Sequence, residues 1–291
     1  PDVKGRIQIL EVHIRKIAAG KNINLPELAR SIPGFSGADI ANLVNEAALM
    51  AARQEKNVVE MDDFEYAKDK IILGLERKNL VISEENRRIT AYHEAGHAIV
   101  AILLPETDPL HKITIIPRGQ ALGLTQQLPI DDRLTYSKEY ILNRIKILMG
   151  GRIAEEQIFG RLTTGASNDI LSATEIATRL ICEWGMSDTI GPVAYLQEQA
   201  GFLGGQSHAK AYSEQTAVAI DTEVKRVIED CYEETRQLLK QHNKFLHKLA
   251  ETLLVNETVD AEEVDIVLNC YINEKNMEVS LKNQQVVEVS N

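Results

Sequence analysis

Apolar positions recur along this chain at helical spacing almost throughout, and at strand spacing in one short region. Ile7, Leu10, Ile14 and Ile17 share one face of an amphipathic helix. A short helix is predicted near Pro26. Ser36 then caps a long helix, with Asp39 three residues on in a capping-box arrangement and Ile40, Leu43, Ala47 and Ala51 along one face. Asp62 starts a fourth, carrying Phe64, Ala67, Ile71 and Leu75. No strand pattern interrupts these four, so residues 1–77 read as a small helical domain. The segment from Arg77 to Ser83 reads as a junction.

A further helix is predicted to begin at Ser83, whose hydroxyl caps it while Glu84 and Glu85 sit at the positive end of the dipole. Pro105 closes it. Between them Ile89, Tyr92, Gly96, Ile99 and Leu103 form an apolar stripe. Gly96 costs a helix about 1 kcal/mol against Ala, so its presence there points to close approach by another backbone. The strand signals follow: Lys112 to Pro117 is rich in β-branched residues, Pro117-Arg118-Gly119 reads as a turn, and Leu122 to Leu128 is a second strand. Helical patterns resume over 137–149, 150–159, 170–184, 213–241, 243–254 and 260–270. Gly201 to Gly205 reads as an exposed loop, and the polar tail 274–291 as disordered. The expected fold class is mainly α: four helices over 1–77, then a mostly helical domain over 78–273 with a small β-hairpin or sheet.

Composition narrows the field. The 291 residues, 44% hydrophobic and 26% charged, are ordinary for globular domains and enough for two cores. A net charge of −11 argues against nucleic acid or an anionic membrane surface as the main partner. The longest apolar run, Ala98 to Leu104, is far short of the roughly 20 residues a membrane helix needs. Cys182, Cys231 and Cys270 are odd in number and far apart, which reads as buried thiols in a reducing compartment. The chain opens on Pro1-Asp2 without an initiator Met and looks like part of a longer protein.

One motif carries chemistry. His93-Glu94-Ala95-Gly96-His97 places two imidazoles one helical turn apart, where both rings can reach a single metal ion. Glu94 is rotated about 100° from His93, which suits a general base better than a ligand. Zinc held by three protein ligands keeps a position open and brings the pKa of its water towards about 7, so a general base beside it can drive amide hydrolysis at neutral pH. The third ligand stays open on spacing alone. A His at position 103, as in metzincins, is replaced by Leu103. The candidates are His111, Glu155, Glu156 and Asp169.

At this point four ordered motifs resemble the FtsH-type AAA+ zinc metalloproteases. They are His93 to Ala98, His111 to Gly119, Gly150 to Glu156, and Thr164 to Asp169. The resemblance extends to the first domain, where Gly5-Arg6 with Ile9-Leu10 looks like the end of an AAA+ core. Gly34 to Ile40, followed by Asn45 to Ala48, looks like the sensor-2 lid helix. The resemblance implies His93, His97 and Asp169 as zinc ligands and Glu94 as catalytic base. It further implies a homohexameric ring degrading unfolded or membrane proteins. An N-terminal membrane anchor would hold the protease on the cytoplasmic face of the inner membrane, or in an organelle's matrix or stroma.

One departure is clear: no GxxxxGK[ST] phosphate loop is present, and Gly20-Lys21-Asn22 lacks both the upstream glycine and the following hydroxyl. ATP with Mg²⁺ is therefore expected to act only in the intact protein, where Gly37 and Ala38 would approach the nucleotide at a helix start. Two other readings remain open: an assembly module with a structural metal, and a zinc hydrolase of a small amide.

Overall fold

The computed structural model describes residues 1–77, 80, 82–129, 135–195 and 212–289, with only the backbone over 277–289. The predicted loop at Gly201 to Gly205 lies outside the described residues. Four helices open the chain: α1 (Val3–Ile14), α2 (Leu25–Arg30), α3 (Gly37–Arg53) and α4 (Met61–Leu73). The capping box at the start of α3 forms as its sequence predicts. Ser36 accepts from the Asp39 amide, and the Asp39 carboxylate accepts from the Ser36 amide at 2.8 Å. Leu10, Leu28, Ile32, Ile40, Leu43, Ala47 and Phe64 close into one apolar core.

A second, larger core is built around α5 (Glu84–Leu103). This helix packs against α6 (Lys138–Phe159), α8 (Glu214–Gln241) and α9 (Asn243–Asn256), and it touches the sheet on another side. Its cap is Ser83, which accepts from the Asn86 amide, and it ends just before Pro105. The sheet has the order β2-β1-β3, with β1 (Leu110–Thr114) antiparallel to both β2 (Leu124–Gln127) and β3 (Thr258–Asp260). A 3-10 turn (Thr164–Ala166) leads into α7 (Ser167–Cys182), and α10 (Ala261–Val289) completes the chain.

Two expectations are corrected, and one strand is added. The segments 137–149 and 150–159 are one helix, α6, continuous through Gly150-Gly151. Those glycines serve a crossing instead of a break: a Cβ on Gly96 would sit 2.4 Å from the Gly150 carbonyl oxygen, and one on Gly150 would sit 2.7 Å from that of Gly96. The tail after Asn273 continues α10 to Val289, in keeping with a run that contains neither Pro nor Gly and is rich in Glu, Lys and Gln. Strand β3 escaped notice because three residues are too few to show alternation. In addition, Cys182 and Cys231 are buried as expected, while Cys270 is exposed.

The two cores meet through polar contacts. Lys112 on β1 donates to Asp69 at 2.8 Å and to Glu65 at 3.1 Å, both on α4. Elsewhere the buried carboxylate of Glu223 on α8 accepts from Ser187 and from Arg226. Arg226 above all, with help from Ser187, outweighs burial and holds this carboxyl at about 2.

Two predictions follow from this packing. Gly96→Ala should cost about 1–3 kcal/mol or more in urea unfolding, because the added methyl meets a backbone carbonyl that cannot step aside. For Glu223, a depressed folded pKa means its contribution is complete above the unfolded value of about 4.3 and fades as pH falls toward about 2. The stability gap between the parent and Glu223→Gln should therefore be flat from pH 7 to about 5 and narrow below that, read by urea titrations at each pH.

Candidate metal centre and active site

The helix α5 carries His93, Glu94 and His97, and their neighbours decide how each is used. His97 Nδ1 lies 2.7 Å from the Ile147 carbonyl oxygen on α6, an acceptor only, so the ring must donate there. His93 Nδ1 lies 2.7 Å from Glu155 Oε1, also on α6. The other Glu155 oxygen accepts from the Thr163 amide at 3.1 Å. With both Nδ1 atoms donating, each ring turns the lone pair of Nε2 the same way.

Those two nitrogens are 3.0 Å apart. Asp169, in the first turn of α7, brings Oδ2 to 3.2 Å from His93 Nε2 and 3.5 Å from His97 Nε2. Three acceptors thus face one another with no donor between them. A positive charge among them resolves this. A proton is one way: burial disfavours it, yet the carboxylates of Asp169 and Glu155 outweigh burial and push the His93 imidazole up to about 10. Burial would likewise raise Asp169, but the two rings hold its carboxyl well below the usual carboxylate range.

A divalent cation is the other way, and the donor set fits zinc. Two imidazole nitrogens and one carboxylate oxygen make a three-ligand catalytic set. Their separations are close to the edge of about 3.3 Å for a tetrahedron with bonds of about 2.0–2.1 Å. Among the described residues this is the one group of three His, Cys, Asp or Glu side chains placed to hold a metal ion.

Glu94 stands beside this triangle, almost fully buried. Its Oε2 accepts from the Thr125 hydroxyl at 2.7 Å. The remaining third-ligand candidates are occupied elsewhere. His111 contacts Glu65 at 3.3 Å and Lys68 at 3.4 Å, in the junction between the two cores. Glu156 accepts from the Tyr232 hydroxyl at 2.6 Å and pairs with Arg236 at 3.5 Å. Gly37 and Ala38 sit at the N-terminus of α3 and contribute nothing to the cluster.

Sequence reasoning missed Gly151. A Cβ there would lie 2.6 Å from His93 Nε2 and from His97 Nε2, so only glycine leaves the rings room. The signal was available: two adjacent glycines in a helical pattern are costly and call for a reason. The Ile147 carbonyl and Thr125 left no such trace, since any residue supplies a carbonyl and threonine is ordinary in a strand.

Two family models match the chain. The model for peptidase family M41 matches residues 80–267. The chain belongs to peptidase family M41. The model for the AAA+ lid domain matches residues 22–66, ahead of the M41 segment. The M41 chain is 56% identical over 272 residues to "ATP-dependent zinc metalloprotease FtsH 4" of Sorangium cellulosum, covering 92% of this chain and 42% of that protein. It is 54% identical over 266 residues to "ATP-dependent zinc metalloprotease FtsH" of Magnetococcus marinus, covering 91% of this chain and 40% of that one. "ATP-dependent zinc metalloprotease FtsH 1" of Bdellovibrio bacteriovorus is 52% identical over 272 residues, with 92% and 42% covered. The chain therefore spans about two fifths of the length of these relatives.

Gly151→Ala should leave the fold largely intact by circular dichroism but lower zinc content well below that of the parent, measured by elemental analysis after dialysis against zinc-containing buffer.

Proposed function

We propose that this chain is the peptidase portion, with its preceding AAA+ lid, of a zinc-dependent endopeptidase. The observation that carries the reading is the convergence of His93 Nε2, His97 Nε2 and Asp169 Oδ2, with a buried carboxylate from the same helix alongside. His93, His97 and Asp169 would hold the zinc. Bound there, zinc would supply Lewis-acid polarisation of a scissile carbonyl and would make water acidic enough to attack at neutral pH. Glu94 takes a proton from the attacking water and delivers it to the nitrogen of the leaving amine. Glu155 and the Ile147 carbonyl keep the two rings in the tautomer that presents Nε2. Among the described residues strand β2 has one partner in the sheet, and its other edge would accept a substrate backbone as an added strand, which gives little sequence preference.

The same reading extends to the intact protein. It would be a homohexamer driven by ATP and Mg²⁺, acting on unfolded or membrane proteins. A membrane anchor outside this chain would place the protease on the cytoplasmic face of the inner membrane, or correspondingly in an organelle. Gly37 and Ala38 would lie near the nucleotide. Support comes from the AAA+ lid match and from the motifs of the peptidase segment. Among the described residues no helix is long and apolar enough to cross a membrane.

Glu94→Gln tests the chemistry. Casein cleavage by the zinc-loaded chain should fall by at least about 100-fold while zinc remains bound, and a chelator should silence the parent to the same level. A variant that cleaves at the parental rate would refute Glu94 as the base.

A further inference from the structure

Glu94 lies one residue from a metal ligand, yet no neighbour on its own helix fixes its carboxylate. The grip comes from β2. The Thr125 hydroxyl is 2.7 Å from Glu94 Oε2 and 3.0 Å from the Glu94 carbonyl oxygen, so one hydroxyl reaches both ends of the same residue. Two positions earlier, Gly123 packs against the other carboxylate oxygen. A Cβ on Gly123 would lie 2.7 Å from Glu94 Cγ, 2.7 Å from Oε1 and 2.9 Å from the Thr114 carbonyl oxygen. Positions i and i+2 point to one face of an extended chain, so residues 123 and 125 meet the base together.

We propose that Thr125 is a positioning residue for Glu94, and that Thr125 on β2, with Gly123 just ahead of the strand, sets the direction of the general base. The assignment rests on the endopeptidase reading, in which Glu94 handles the proton. Thr125 holds Oε2 and the close approach of Gly123 confines Oε1, so together they fix the rotation at which the carboxylate meets the attacking water. A base within reach but free to rotate spends most of its time misaligned, and correct orientation is a large part of what a positioned base contributes. Gly123 defines how close the strand comes, and Thr125 defines the rotation of the carboxylate. The base and the edge proposed to receive substrate thus belong to one rigid unit, because β2 is bonded to β1 on its inner side and to Glu94 through its face.

The test compares Thr125→Val, which keeps the branched shape and removes the hydroxyl, with Thr125→Ser, which restores it. In the zinc-loaded chain acting on casein, Thr125→Val should lower kcat by about 10- to 100-fold, the range expected for one hydrogen bond to a charged group. KM should change by less than about twofold and zinc content should match the parent, since the three ligands are untouched. Thr125→Ser should recover most of the loss. A crystal structure of Thr125→Val should show the Glu94 carboxylate in more than one rotamer with His93 and His97 unmoved.

An unchanged kcat in Thr125→Val, a loss that serine does not restore, or a Glu94 carboxylate that stays in a single rotamer would each overturn the assignment. If the parent chain cleaves nothing and chelation makes no difference, the endopeptidase reading falls. The rotamer of Glu94 in Thr125→Val still decides the positioning role.

Discussion

The contact on which the rest of this structure depends is the close crossing of α5 and α6 at Gly96 and Gly150. With no side chain at either position the two backbones come near enough for α6 to reach the histidines directly. From that one helix come the Ile147 carbonyl on His97, the Glu155 carboxylate on His93, and the bare Gly151 backbone in front of both rings. Widening the crossing by a methyl group would separate the rings from their partners. Packing and the histidine cluster therefore share a single constraint: the glycines that a helix tolerates poorly are what place α6 against the helix that carries both rings.

From this crossing the electrostatics follow. Because the Nδ1 atoms are committed to acceptors on α6, the Nε2 lone pairs point into a common space, and Asp169 enters from α7 to complete the set. Three mutually repelling acceptors in a partly buried setting are unfavourable until a cation joins them. The lowered pKa of Asp169 and the raised one of His93 are two sides of one pairing: against burial, the rings favour the ionised carboxylate and the carboxylates favour a proton on the ring. Glu94 escapes this arrangement because it leaves the helix in another direction, toward β2.

Much of this was legible in the chain. The helices show their apolar stripes, the Ser36 and Ser83 caps mark helix starts, and the spacing of His93 and His97 places two rings on one face. These are local properties, set by the 3.6-residue repeat and by capping groups within a few residues, so a single sequence displays them. The continuous α6 was misjudged where local preference opposes tertiary need. Gly150-Gly151 reads as a break by propensity and is kept helical by its contact with α5. Asp169 could be narrowed to one of several acids by its residue type and, through the family resemblance, singled out.

What the sequence by itself determined is the helical framework, the two imidazoles and the carboxylate between them. Tertiary structure alone decided which acid, 72 residues beyond His97, comes to the rings, which candidates turn away, and which hydroxyl reaches the Glu94 carboxylate. Glu155 and Asp169 are both acids on helices; one is turned to Nδ1 and the other to Nε2 by the way α6 and α7 pack on α5. The physical reason is range. Periodicity and capping act over a single turn, whereas a metal centre needs groups brought together by the burial of distant surfaces, and that burial is a property of the whole core.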